Sequence, residues 1–384
     1  MKKQNKKQSR GKTVLKTLGR IGVSLLTLVL VLVIGIIGML LVLYYGPSPS
    51  ARDRFVLTVK ETSAGGFLAD WFLPKEVIDE IIASNTVEES DEVTNTSLIN
   101  IPGSHTEKGN DDPANPDATH DPNDPGTQVD PGYDINKIEL IDLHGKTYRG
   151  KLLIVYNPKR VYIGTPEAYG EDRKGVSTID MVRNNNALYG VNGGGFFDTG
   201  SGNGGVPTGR DNSDGIVISK GKMMWGNKNQ TYEIIGINRD GILVLGKMTG
   251  KQALESGIVE AFNFGPYLIV NGEPCAVTGY TESSLNPRTA IGQRADGAML
   301  ILTIDGRQPT SVGASYEDLI EIMMNYGAVN AANLDGGSST YMVQNEENAN
   351  NPKIITQTAS LYGPRRMATS VLVARVEDVD DREG

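Results

Sequence analysis

Met299-Leu300-Ile301-Leu302-Thr303-Ile304-Asp305-Gly306-Arg307 and Ala328-Val329-Asn330-Ala331-Ala332-Asn333-Leu334-Asp335-Gly336-Gly337-Ser338 are two apolar runs, each ending at an Asp-Gly. Between them Ser315–Tyr326 reads as an amphipathic helix. Ser315 suits the N-cap, Asp318 sits at the reciprocal position, and Leu319, Ile322, Met323 and Tyr326 share one face. Strand, helix, strand places an aspartate at the end of each strand. Were the strands parallel neighbours, Asp305 and Asp335 would share one sheet edge. Asp-Gly after a strand is otherwise a hairpin turn, which is the reading for Asn238-Arg239-Asp240-Gly241. No second strand follows Asp305 directly, so the edge reading is preferred there.

Outward from this unit, the chain from Tyr133 to Val376 carries short strand signals throughout. They fall at Ile138–Leu143, Leu152–Tyr156, Arg160–Ile163, Leu188–Asn192, Gly215–Ser219, Tyr232–Ile237, Ile242–Leu245, Tyr267–Val270, Thr289–Gly292, Met299–Ile304, Ala328–Asn333 and Thr369–Val376. Two further helices are expected at Ser177–Asn184 and Gly250–Ser256. No period repeats. The expectation is one α+β catalytic domain over 133–377, β-rich with mixed sheets and few helices, and a short tail over 378–384.

Four glycine-containing turns adjoin these strands: Val191-Asn192-Gly193-Gly194-Gly195-Phe196-Phe197-Asp198, Asn263-Phe264-Gly265-Pro266-Tyr267, Asn286-Pro287-Arg288-Thr289-Ala290-Ile291-Gly292, and Asn333-Leu334-Asp335-Gly336-Gly337-Ser338-Ser339-Thr340. Glycines at strand ends let backbone approach a ligand, and amides exposed there bind anions. Any one alone is as well read as a plain turn; four together point to a cleft. Arg288 and Arg307 suit phosphate or carboxylate through the planar guanidinium fork, and Arg365 and Arg366 precede the last strand. Paired carboxylates suit glycosyl transfer, one as acid or base and the other as nucleophile or water activator.

Absences narrow the chemistry. The three histidines, His105, His120 and His144, cannot supply a Ser-His-Asp triad or a multi-histidine metal site once the first two fall in a spacer. Ser219-Lys220-Gly221-Lys222 fits a nucleophilic serine-lysine pattern but reads as a turn. The single Cys275 excludes an internal disulfide.

The ordered set of turns resembles the phosphodiester glycosidase family, which includes N-acetylglucosamine-1-phosphodiester α-N-acetylglucosaminidase and bacterial exopolysaccharide-related members. The resemblance covers about 133 to 376. It implies hydrolysis of a sugar–phosphate bond in an envelope or exopolysaccharide glycan. It also implies a cleft built from Asn192, Gly193, Gly194, Phe196, Gly265, Arg288, Thr289, Asp305, Arg307, Asn333, Asp335, Gly336, Gly337 and Ser338. Within it Asp335, Asp305 and Arg288 are expected to be catalytic and the others to bind substrate. One departure stands out: where the family's last motif often reads D-G-G-G-S, this chain has Asp335-Gly336-Gly337-Ser338. No cofactor is implied, with a divalent cation such as Ca²⁺ left open. A non-catalytic glycan-binding or envelope-assembly protein using the same cleft is the alternative, and a metal-dependent phosphodiesterase a third.

The N-terminal region adds a location. Residues 21–45 form an uncharged apolar run long enough to span a bilayer. Eight Lys or Arg and no acid lie in 1–20, which puts that end in the cytoplasm. The run exceeds a signal peptide's apolar region and no small-residue cleavage site follows, so a single-pass anchor is expected, with the catalytic domain outside the cell. Residues 46–85 read as a membrane-proximal helical stalk. Residues 86–132, with eleven acids against one lysine and six prolines, read as a disordered acidic linker. With the eight basic residues set aside, the net charge of −9 becomes −17 for residues 46–384. That balance excludes nucleic acid as a partner.

Overall fold

The structure is a computed structural model. It describes residues 2–60, 65–88, 90–102, 134–197, 204–210, 213–279, 285–347, 349–360 and 363–379, with side chains from residue 17 onward.

Three antiparallel sheets surround one core. The largest has seven strands in the order Glu273–Pro274, Tyr267–Val270, Ala328–Asn333, Arg288–Arg294, Met299–Ile304, Arg149–Val155, Ile138–His144. A second runs Lys353–Ile354, Met342–Gln344, Tyr189–Asn192, Ser370–Val373, Val161–Gly164, and a third Leu243–Thr249, Thr231–Asn238, Ile258–Asn263, Val217–Ser219, Lys222–Trp225. Side chains alternate between two buried faces. Leu153, Val155 and Ile301 of the first sheet meet Val191 and Val371 of the second and Ile235 and Phe262 of the third in the central cluster. Leu152, Ile154, Leu300 and Leu302 face the other way, under Leu319, Ile322 and Met323 of the helix Tyr316–Asn325. Burial on both faces is why Met299–Ile304 reads as a continuous apolar run rather than an alternating one. The helices Thr178–Asn184 and Gly250–Glu255 cover the outer faces of the other two sheets in the same way.

Local signals operate as the sequence suggests. Ser315 and Asp318 close a reciprocal capping box. Asn238 Oδ1 accepts from the amides of Asp240 and Ile242, closing the hairpin expected there. Lys220 and Gly221, both at positive φ, turn Val217–Ser219 into the strand Lys222–Trp225, which the sequence had not suggested. Such a pair of left-handed residues matches the twist of a two-residue hairpin.

The first helix, Lys2–Tyr45, includes an apolar stretch, Thr17–Tyr45, long enough to cross a membrane. Its end packs on the helices Pro49–Lys60, Phe67–Asp70 and Lys75–Ala83. Leu40 and Tyr44 join Val56, Leu57, Leu73, Ile78 and Ile81, and Tyr44 stacks on Phe72. Part of the acidic stretch expected as a spacer is instead packed. Val87–Glu88 pairs with Ala276–Val277, Thr94 exchanges two hydrogen bonds with Leu245, and Ile99 and Ile101 pack on Ile242. These few apolar residues anchor the strap despite its acidic composition. Residues 103–133, the bulk of that stretch, lie outside the described residues.

Candidate active site

The register of the seven-stranded sheet sets the geometry. Arg288 lies opposite Ile304 and Ala290 opposite Asn333, both antiparallel. Met299–Ile304 and Ala328–Asn333 are therefore parallel to each other but not neighbours; the strand that begins at Arg288 runs between them. Asp305, Arg288 and Asp335 all belong to one sheet edge.

A cavity of about 290 Å³ opens there. Of the expected residues, Arg288, Arg307, Asn333, Asp335, Gly336, Gly337 and Ser338 line it. Arg288 is buried, its Nε donating to the Ala314 carbonyl at 3.3 Å and its guanidinium lying 4.1 Å from the centre of the Tyr316 ring. That grip fixes the charge, and a planar fork over an aromatic face is something lysine cannot reproduce. Arg307 donates to Asn286 Oδ1. Asp335 is partly exposed, and its Oδ1 accepts from the Gly336 amide at 2.9 Å. Asn333 donates its amide to the Gly265 carbonyl at 2.8 Å, while its buried Oδ1 has no protein partner among the described residues. A buried acceptor at a cavity wall is a place for a ligand hydroxyl.

Other expected residues lie beneath this surface. Asn192 is fully buried: it donates to the Asp335 carbonyl and accepts from the Thr289 hydroxyl at 2.6 Å. Gly193 accepts from the Asp335 amide, and a Cβ there would sit 2.5 Å from Thr369 Oγ1. Gly194 donates to that same hydroxyl. These groups hold the Asp335 loop from below. Gly337, at φ +60°, donates to the Pro287 carbonyl and so ties that loop to the Arg288 strand. Phe196 supports Arg365, whose guanidinium is 4.7 Å from its ring centre.

Asp305 is placed differently. It stands at the shared edge but is not among the cavity's lining residues. Its Oδ1 accepts from the Gln357 amide at 2.9 Å, and its carbonyl accepts from the Ser311 hydroxyl. Burial pushes its carboxyl above the ordinary aspartate value, while the Gln357 amide and Lys151 pull the other way.

Arg365, noted beside Arg288 and Arg307 as a further arginine, also lines the cavity, and several lining residues carry no site expectation: Arg210, Phe264, Asn286 and Tyr316 of the domain, and Leu57, Lys60, Ile82, Asn85 and Thr86 of the preceding helices and the residues after them. Phe264 and Asn286 stand inside two of the four turns; Arg210 has no pattern around it to mark it. Lys60, Arg210, Arg288, Arg307 and Arg365 bring five cations to the lining, against Asp335 as its one carboxylate among the described residues. The described residues contain no cluster of three His, Cys, Asp or Glu side chains.

Fold and cleft thus define an α+β protein that gathers basic groups around one carboxylate at a sheet edge. Residues 185–374 of the chain match the phosphodiester glycosidase family. The chain is 31% identical over 176 residues to bovine N-acetylglucosamine-1-phosphodiester α-N-acetylglucosaminidase, covering 41% of this chain and 33% of the relative. The human protein of the same name is 30% identical over 176 residues, with 41% and 34% covered. YomE, a prophage-derived protein of Bacillus subtilis, is 38% identical over 90 residues, covering 23% and 14%. The chain therefore spans about a third or less of the length of these relatives. Among solved structures, the zebrafish N-acetylglucosamine-1-phosphodiester α-N-acetylglucosaminidase catalytic domain, auto-inhibited by its pro-peptide, superposes with a TM-score of 0.47 at 22% identity, covering 62% of this chain and 82% of that one. An exported protein of Burkholderia pseudomallei gives 0.42 at 16% identity, covering 59% and 74%.

Proposed function

We propose that this chain is a hydrolase that cleaves the bond between an anomeric carbon and a phosphodiester oxygen in a cell-envelope or exopolysaccharide glycan. It acts outside the membrane that residues 21–45 span once, with its N-terminus in the cytoplasm. The observation that carries this reading is the charge of the cleft, five cations around Asp335. Arg288, Arg307 and Arg365 hold the phosphate oxygens. Asn333 Oδ1 accepts from a sugar hydroxyl. Asp335 stands beside the anomeric carbon, where it stabilises an oxocarbenium-like centre or takes the proton of the attacking water.

The leaving group explains the imbalance between bases and acids. An ordinary glycoside expels an alkoxide and needs a general acid to protonate it. A phosphodiester expels a phosphate monoester, which leaves as an anion and is stabilised by fixed positive charge. The arginines then do the work that a second carboxylate does elsewhere. Asp305 contributes from behind the cleft, holding the strand end and the Gln357 backbone.

The test is release of reducing sugar and a phosphate monoester from a methyl phosphodiester of N-acetylglucosamine by the full chain in detergent. Asp335→Asn is expected to abolish release while the ester still binds. Binding by the wild-type chain without release would instead establish the glycan-binding alternative.

A further inference from the structure

Beside the reaction cleft lies a second, larger cavity of about 720 Å³, and its walls differ in kind. Trp225, one of only two tryptophans in the chain, stands half-buried in it, with Tyr169 packed edge-on at 6.1 Å. The strand carrying Trp225 slips register against Val217–Ser219 next to that residue, and such a bulge re-aims a side chain. Phe197 lines the same cavity with 48% of its surface exposed. Around these rings stand planar polar groups: the Asp214 carboxylate, which accepts from the Gln230 amide at 2.9 Å, and the exposed side chains of Asn227 and Glu171.

An aromatic face flanked by carboxylates and amides matches a pyranose, whose C–H face stacks on a ring while its equatorial hydroxyls bond to the planar groups. It does not match a phosphate, because the charged groups on this wall, Asp214 and Glu171, are acidic.

The two cavities share a wall. The ribbon Gly195–Phe196 with Pro207–Thr208 sends Phe196 under Arg365 of the reaction cleft, while the next residue, Phe197, lines the second cavity. Thr208 of the other strand lines the second cavity, and Arg210, two residues beyond that strand, lines the reaction cleft. We propose that the Trp225 cavity is a neutral-sugar subsite that receives a glycan continuing from the sugar in the reaction cleft, so that the chain acts on polymers in preference to single sugar esters. This rests on the hydrolytic reading for its polymer preference, though not for sugar binding itself.

Two readouts test it on the full chain. In a Trp71→Phe background, Trp225 is the remaining tryptophan, and oligomers of N-acetylglucosamine with two to six units should shift its emission saturably. Asp214→Asn and Gln230→Ala should each weaken that response. In turnover, Trp225→Ala should raise KM for a phosphodiester-linked polymer roughly three- to tenfold more than KM for the methyl ester of the single sugar, the scale of one aromatic contact. No emission response, or a KM ratio unmoved by Trp225→Ala, overturns the subsite. Oligomers that bind at Trp225 of a chain cutting no phosphodiester uphold sugar binding there and overturn the hydrolytic reading. Phosphodiester cleavage with a silent Trp225 does the reverse.

Discussion

At the scale of single residues, the cleft depends on how its charges are held. Arg288 is buried and clamped between Tyr316 and the Ala314 carbonyl, so its guanidinium is oriented before any ligand arrives. Arg288→Lys keeps the charge and loses the fork. A charge-assisted hydrogen bond contributes about 1.5–3 kcal/mol, so the loss of one should raise KM for the methyl phosphodiester roughly ten- to a hundredfold, read from initial rates. An unchanged KM would show that Arg288 acts only as a buried prop. Asp305 gives a prediction of stability against pH. Its folded-state pKa is raised, chiefly by burial. The folded protein therefore holds this proton more tightly than the unfolded one. The resulting stabilisation is present below the unfolded value and is lost as pH rises through the folded value. Asp305→Asn keeps an acceptor for the Gln357 amide and removes the titration. Thermal unfolding should find the variant gaining on wild type at pH 7 and the gain vanishing below about pH 4. A variant that instead loses stability as pH rises would mean that the carboxylate is favoured in its charged form.

Among the elements, Met299–Ile304 governs the geometry because both of its faces are buried. Ile301 points to the core shared by three sheets and Leu302 to the layer under the helix Tyr316–Asn325. Ile301→Ala and Leu302→Ala should each cost about 2–5 kcal/mol in urea unfolding; a strand with one wet face would show the cost at only one of the two. This strand was legible in the sequence, as were Tyr267–Val270, Ala328–Asn333 and the capped helix, because an apolar run or a cap is a local signal. The strand Lys222–Trp225 was not, being short and half polar. The strap over 87–101 was hidden for a related reason, since Val87, Ile99 and Ile101 are few among many acids and matter only through the partners they meet. The site divides in the same way. Arg288, Arg307 and Asp335 are visible at strand ends, whereas Asn192 and Thr289 look like ligand groups until the fold turns them toward the Asp335 loop. Leu57 and Lys60 line the cleft together with Arg288, Arg307 and Asp335, which lie far along the sequence from them, and no local pattern encodes that.

For the whole molecule, charge is distributed in a way that bears on function. Residues 46–384 carry a net −17, yet the cleft is basic. An acidic exterior repels anionic polymers in general, while a concave patch of opposite sign focuses attraction where the cations converge. The helices that follow the apolar segment take part in that focus. Lys60, ion-paired with Asp70 at 2.6 Å, stands at the end of the helix Pro49–Lys60 in the cleft wall, and Val87–Glu88 fastens this unit to the domain through Ala276–Val277. The family match begins only at residue 185, so this wall lies outside the matched segment. Lys60→Glu reverses one of the five cleft charges and leaves Asp335 in place. It should raise KM for an anionic phosphodiester severalfold at low ionic strength, with kcat nearly unchanged. The difference should shrink near 1 M salt, where the Debye length falls to about 3 Å. A KM insensitive to both the substitution and the salt would make the helices a neighbour of the cleft and not a part of it. A rise in kcat/KM would mean that they cover the cleft against substrate, which reverses the role argued for Lys60.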